Sequence, residues 1–142
     1  MNAVVNEARS WIGTPFKHQH RAKGVGVDCA GLVIGVARVL GFVSPDFDIN
    51  GYARSPDGRT LIDECDRHME RVSRETMAPG DVVMVRWERE PQHVGILSDY
   101  PHGGLAWIHA FGLPSGGKVI EQRFDLALIV SGGSFVGAWR FR

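Results

Sequence analysis

A cysteine and a histidine in this sequence could together perform nucleophilic chemistry. Cys29 follows Asp28 and opens an apolar run, so Asp28 is predicted to cap a helix whose first turn holds Cys29. Free backbone N–H groups and the positive end of the helix dipole favour a thiolate there, and they could also bind the oxyanion formed when it attacks a carbonyl. The small Ala30 leaves room for a substrate. The alternative is that Cys29 is a small buried hydrophobic residue, as many free cysteines are.

A cysteine nucleophile needs a base, and His93 is well placed among the six histidines. It opens the strand-like segment His-Val-Gly-Ile-Leu, directly after a turn that contains proline. His109 lies inside another strand-like segment and shares a face with Trp107 and Phe111 by the period of two. We interpret His109 either as a hydrogen-bonded core histidine or as the residue that orients His93.

The loop before Cys29 carries two further histidines, His18 and His20. Together with Cys29 and a fourth ligand they could in principle surround a metal ion, but their spacing matches no zinc-binding pattern. We therefore predict neither a metal nor another cofactor. His68 and His102 are interpreted as solvated surface residues.

The second cysteine, Cys65, lies beside Leu61, Ile62 and Met69 on the apolar side of a predicted helix. This position indicates a core residue. A disulfide between Cys29 and Cys65 is possible from their number alone. It is not expected, because the sequence shows no dense cysteine framework and no export signal.

The elements that must position these residues are predicted to be helices followed by strands. Helical apolar spacing marks the segments Val4–Ile12, Leu32–Leu40 and Leu61–Val72. Strand patterns mark Val82–Trp87, Val94–Ser98, Ala106–Phe111, Lys118–Phe124 and Phe135–Phe141. Residues 17–27 are predicted to form a polar loop. This order predicts an α+β fold in which N-terminal helices pack on a mostly antiparallel sheet of about five or six strands.

The composition fits one ordinary globular unit. A chain of 142 residues is predicted to form a single domain, residues 1–142. Lys plus Arg and Asp plus Glu each number 16, so no basic excess favours nucleic acid as a partner. No apolar stretch is long enough for membrane insertion. The N-terminus lacks the pattern of a secretory signal, which predicts a protein made in the cytoplasm.

With these residues placed, the sequence resembles the NlpC/P60 family of cysteine peptidases. The resemblance covers about residues 5–125, and its motifs are strongly specific because they occur in the family's order. The motifs are Gly13-Thr14-Pro15-Phe16, Val27-Asp28-Cys29-Ala30-Gly31-Leu32-Val33, Pro79-Gly80-Asp81-Val82-Val83, His93-Val94-Gly95-Ile96 and Ile108-His109-Ala110.

The resemblance implies a papain-like fold with Cys29 as nucleophile, His93 as general base and His109 as the polar third residue. It also implies hydrolysis of amide bonds in peptidoglycan stem peptides, often between D-glutamate and diaminopimelate. The short form, with histidines at positions 18 and 20, is most similar to the branch found in phage tails and gene-transfer agents. Phage-tail proteins are therefore expected as possible partners, and the virion or tail as a location.

Two departures from the family pattern lie near the predicted nucleophile. The family often has tyrosine at the position of Phe16, and its hydroxyl assists at the oxyanion or the substrate. Phe16 has no such donor, so His18 or His20 would have to replace it, or that function would be lost. The family usually has serine at the position of Ala30, which in some members helps to bind the stem peptide.

Two other functions therefore stay open beside the peptidase. One is a non-catalytic component of a phage tail that binds cell wall or tail proteins, with a vestigial catalytic trio. The other is an amidase, thioesterase or acyltransferase that acts on a small cytoplasmic substrate.

Overall fold

The computed structural model describes residues 2–49, 59–87, 90–112, 116–125 and 133–142. Within them the helices are α1 (Ala3–Arg9), α2 (Cys29–Val39) and α3 (Thr60–His68). The strands are β1 (Arg21–Ala22), β2 (Gly26–Val27), β3 (Met69–Val72), β4 (Val82–Trp87), β5 (Glu90–Asp99), β6 (Leu105–Phe111), β7 (Lys118–Arg123) and β8 (Gly133–Phe141).

The larger sheet of the described residues has the order β3-β8-β4-β5-β6-β7. Every neighbouring pair of strands in it is antiparallel. Because the helices come first and pack on this sheet, the predicted α+β class is confirmed. No helix in the described parts of the chain combines the length and the apolar character needed to cross a membrane.

The sheet separates two hydrophobic clusters, and this separation matters for the site. The cluster on the helix side includes Leu32 of α2 and Leu61 of α3 together with Val94 and Ile96 of β5 and Ile108 of β6. Side chains alternate between the two faces of a strand. The opposite face therefore carries the second cluster, which consists of Val83, Val85, Leu97, Trp107 and Phe124.

Two local predictions were wrong. Residues 69–72 continue the helical spacing of α3 in the sequence, but α3 ends at His68 and Met69–Val72 forms β3. The reason is non-local, because β3 pairs with β8 from the far end of the chain. Residues 17–27 were predicted as a loop, yet they contain the short antiparallel pair of β1 and β2.

A glycine of α2 packs against the segment that follows α1. A Cβ atom added at Gly35 of α2 would overlap the indole ring of Trp11, which is itself buried. This close approach fixes α2 against the N-terminal segment. α2 also contacts β5 and β6, the strands that carry His93 and His109.

Candidate active site

The structure places Cys29 at the first position of α2, as the capping pattern predicts. The N-cap residue is Asp28, whose Oδ1 accepts a hydrogen bond of 2.8 Å from the backbone N–H of Gly31. Cys29 is half-buried and packs against the cluster on the helix side of the sheet. A thiol in this position lies beside the backbone N–H groups at the start of α2, which have no acceptor within the helix.

The Asp28 carboxylate is held by several donors besides the helix. The Arg21 Nη1 lies 2.9 Å from Oδ1, and the backbone N–H of Gln19 donates to Oδ2 over 2.7 Å. His18 Nδ1 lies 3.8 Å from the same Oδ2. Gln19 adopts a positive φ of 58°, an unusual backbone conformation for a residue with a side chain. His18, Gln19 and Arg21, which precede α2, therefore contact the carboxylate of its N-cap residue, Asp28.

The two strand histidines contact each other directly. His93 Nε2 lies 2.7 Å from His109 Nδ1. His109 Nε2 in turn lies 2.9 Å from the side-chain oxygen of Gln122 on β7. His93, His109 and Gln122 therefore form one hydrogen-bonded chain across β5, β6 and β7.

This chain sets the position of the protons. Burial, with a smaller contribution from neighbouring His93, lowers the pKa of His109 from 6.5 to about 3, although the hydrogen bond to Gln122 acts in the opposite direction. His109 is therefore neutral at ordinary pH. Since the Gln122 oxygen can only accept, His109 Nε2 carries the proton and His109 Nδ1 accepts from His93 Nε2–H. In neutral His93 the Nδ1 atom then has no proton and can act as a base.

Aromatic packing fixes the orientation of both rings. The indole of Trp107 stacks on His109 with ring centroids 4.0 Å apart, and it meets His93 edge-on at 5.3 Å. His93 and His109 are both completely buried. A Cβ at Gly95 would lie 2.8 Å from Trp107. Glycine at this position therefore leaves the space that the stacked rings occupy.

The histidines lie beyond the end of the pairing between β5 and β6. In residues 90–112 that pairing runs from Ile96 opposite Ile108 to Asp99 opposite Leu105. His93 instead pairs with Val85 of β4. A Cβ added at Gly95 would lie 3.0 Å from His109 Cβ and 3.1 Å from Ile108 O, so β5 and β6 stay close together where the imidazoles meet.

Cys29 begins α2 and His93 lies on β5, and these two elements pack against each other. Their neighbours in sequence, Ala30 and Val94, line one common cavity. However, the Cys29 side chain packs on the helix side, whereas His93 shares the opposite face with Trp107. The structure therefore joins His93 to His109 directly, and α2, which begins at Cys29, packs on the strands that carry both histidines.

The other predicted neighbours of the nucleophile take different positions. Phe16 is half-buried, and its backbone N–H donates to Gly117 O over 2.8 Å. His20 is exposed, and its Nδ1 lies 2.9 Å from His18 O. Ala30 is buried and faces the cavity rather than solvent. Phe16, His18 and His20 therefore surround the segment leading to Asp28.

The cavity lies between α2, α3 and the sheet and contains about 520 Å³ of space, including its open mouth. Its lining is almost wholly apolar and includes Cys65. Burial, together with nearby Asp66, raises the pKa of Cys65 to about 12, against a smaller opposing effect of Arg71. Cys65 is thus a protonated thiol, partly buried against the helix-side cluster. His68 is exposed, as predicted, and it also borders this cavity; its Nε2 lies 3.4 Å from Glu64 Oε2.

Two residues near the candidate site were not predicted from the sequence. Gln122 ends the histidine chain, and Arg21 binds the cap of α2. Gln122 could have been found from the register of β6 and β7, because that register places Gln122 opposite Trp107. In the described part of the chain, no three His, Cys, Asp or Glu side chains are grouped so that they could hold a metal ion.

Comparison with known proteins supports the fold. No protein-family model matches the chain, and no curated protein sequence matches it. Among solved structures it is similar to a crystal structure from Staphylococcus aureus, described as similar to a lipoprotein of the NLP/P60 family. The TM-score is 0.60 at 18% sequence identity, and the match covers 98% of this chain and 40% of that one. The chain therefore has an NlpC/P60-like fold and spans 40% of the neighbour's length.

Proposed function

We propose that the protein is a cysteine peptidase or amidase that hydrolyses amide bonds in peptidoglycan stem peptides, of the D-glutamyl-diaminopimelate type. The observation that carries this proposal is the hydrogen-bonded chain of His93, His109 and Gln122 on the strands against which the helix of Cys29 packs. The NlpC/P60-like fold supports the substrate class.

The proposed reaction is an acyl transfer in two steps. The Cys29 thiol gives its proton to His93 Nδ1, and the thiolate attacks the amide carbonyl. Backbone N–H groups at the start of α2 hold the oxyanion. Protonated His93 passes the proton to the leaving amine, and a thioester on Cys29 remains. Water, activated by the same His93, then hydrolyses the thioester and restores the thiol.

This mechanism requires Cys29 to reach His93 from the helix side of the sheet. We propose that the thiol and the imidazole meet at the start of α2, because this helix packs on β5 and β6. His109 would keep Nε2 of His93 protonated, so that Nδ1 is the atom presented to the thiol. His109 is therefore proposed to orient the base.

The direct test is digestion of purified peptidoglycan. The protein should release muropeptides, and Cys29→Ala and His93→Ala should abolish the release. Cys65→Ala is the matched control and should retain it, because Cys65 lies in the apolar cavity. Release that persists in Cys29→Ala would disprove the proposed nucleophile.

A non-catalytic role in binding cell wall, as a component of a phage tail, is the second candidate. Complete burial of His93 and the lack of a hydroxyl at Phe16 favour it. Sedimentation with insoluble peptidoglycan separates the two functions. Wild type and Cys29→Ala that bind equally, without release of muropeptides by either, would support the binding role.

The cavity beside Ala30 favours a third candidate, an amidase or thioesterase on a small apolar acyl substrate. Hydrolysis of short acyl thioesters tests it. Cys29-dependent turnover of a thioester, with no action on peptidoglycan, would replace the peptidase proposal.

A further inference from the structure

The residue directly before the candidate nucleophile carries a buried negative charge. Asp28 is only 2% exposed. As an N-cap its carboxylate stabilises the start of α2. However, a negative charge beside Cys29 also opposes the formation of a thiolate, because like charges repel strongly where water is excluded.

Arg21 supplies the opposite charge. Its side chain is 9% exposed, and its Nη1 lies 2.9 Å from Asp28 Oδ1. The same Nη1 donates to the backbone carbonyl of His20 over 3.0 Å. A Cβ added at Gly31 would lie 2.9 Å from this nitrogen. The guanidinium therefore rests against the first turn of α2, at the level of the candidate nucleophile.

In the described part of the chain, further charged groups lie next to this pair. Asp48 accepts from Arg21 Nε over 3.0 Å and lies 3.8 Å from the guanidinium of Arg38 on α2. His18 lies 3.8 Å from Asp28 on the opposite side. Among these described residues, Arg21 and Arg38 carry positive charges, Asp28 and Asp48 carry negative charges, and His18 is a further titratable group.

We propose that Arg21 is a positioning residue for Cys29, which cancels the charge of Asp28 so that this carboxylate can cap α2 without opposing the thiolate. The proposal rests on the proposed function only in taking Cys29 as the nucleophile. A guanidinium suits this role because it stays protonated and can bind Asp28, Asp48 and a carbonyl at once.

The test is the pH dependence of Cys29 alkylation by iodoacetamide, followed by mass spectrometry of the intact protein and its peptides. Arg21→Gln should raise the midpoint of the profile by about one pH unit and slow labelling about tenfold at neutral pH. Asp28→Asn should lower the midpoint, because it removes the negative charge beside Cys29. Asparagine still caps a helix, so the start of α2 should be kept. The double variant should return to within about half a pH unit of wild type, because both charges are removed together.

The matched control is Arg140→Gln. Arg140 binds Asp81, which is also 2% exposed, over 2.8 Å, but at the start of β4 rather than of α2. It should leave the Cys29 profile unchanged. Arg21→Lys keeps the charge and should keep the midpoint, even if the loss of hydrogen bonds lowers the melting temperature.

The outcomes separate electrostatics from folding. A double variant whose midpoint stays as high as that of Arg21→Gln, or an Arg21→Gln profile equal to that of Arg140→Gln, overturns the proposal. If Arg21→Gln does not fold, the double variant should fold again, since it no longer buries an unpaired carboxylate; a double variant that also fails to fold contradicts the proposal. Wild-type Cys29 that reacts no faster than Cys65 instead contradicts the proposed function, and the shifts in midpoint then still test Arg21.

Discussion

His93 Nε2 and His109 Nδ1 lie 2.7 Å apart, and only one of these two atoms can carry the proton between them. Gln122 decides which one, because its side-chain oxygen accepts from the other nitrogen of His109. The low pKa of His109, about 3, excludes a second proton on that ring. The tautomer of His93 is therefore set by a residue two strands away.

Gln122→Leu should slow hydrolysis of peptidoglycan about tenfold or more, with little change in KM. Without the acceptor, His109 can hold its proton on Nδ1, and His93 then presents a protonated Nδ1 to Cys29. Steady-state rates of muropeptide release measure the effect. Gln122→Glu keeps an acceptor at this position and should be less impaired. Equal loss in the leucine and glutamate variants would show that the oxygen does not orient the chain.

The buried His109 should make the protein less stable in acid. In the unfolded chain His109 takes up a proton near pH 6.5, whereas in the folded protein its pKa is about 3. Between these values the unfolded state binds more protons, so the free energy of unfolding falls as pH falls. The loss from pH 6.5 to pH 4 should be about 3 kcal/mol.

Urea unfolding of wild type and His109→Gln over this range measures that contribution. The variant should lack this part of the pH dependence. His102→Gln replaces an exposed histidine and should behave as wild type. An unchanged pH dependence in His109→Gln would assign the acid sensitivity to other groups.

Local signals were sufficient to predict the helix that begins at Cys29, but not its full surroundings. Asp28 followed by an apolar run defines the start of α2 through a cap that links Asp28 to Gly31, three positions further along the chain. The role of Gln122 depends on the register between β6 and β7, and that of Arg21 on the folding of β1 against α2. Neither relationship is encoded in a short segment.

The end of α3 shows the same limit for the fold. The apolar residues from Leu61 to Val72 keep helical spacing in the sequence, but the segment after His68 turns into β3. Four pairs with β8, from Met69 opposite Phe141 to Val72 opposite Ala138, select the strand. Because the partner strand lies near the other end of the chain, helical periodicity alone could not reveal this change.

Iodoacetamide at neutral pH should label Cys29 much faster than Cys65. The first-turn position favours the thiolate of Cys29, whereas burial raises the pKa of Cys65 to about 12. Time-resolved mass spectrometry of the two cysteine peptides measures both rates. Cys65→Ala should keep the fast reaction and Cys29→Ala should lose it. Equal, slow labelling of both cysteines would contradict an activated thiolate.

Gly95→Ala should reduce both stability and hydrolysis. The added Cβ would lie 2.8 Å from Trp107 Cε3 and 3.0 Å from His109 Cβ, so the stacked rings must shift. Such overpacking costs about 1–3 kcal/mol, and displacement of His109 should also disturb its contact with His93.

Gly137→Ala is the matched control for this substitution. Its Cβ would lie 2.8 Å from the Trp139 ring on β8, which belongs to the helix-side cluster and not to the histidine chain. Urea unfolding should show comparable destabilisation in the two variants. Rates measured where both are fully folded should fall for Gly95→Ala alone. Equal rates would mean that the position of the histidines tolerates the shift, and that the space at Gly95 serves packing rather than the orientation of the base.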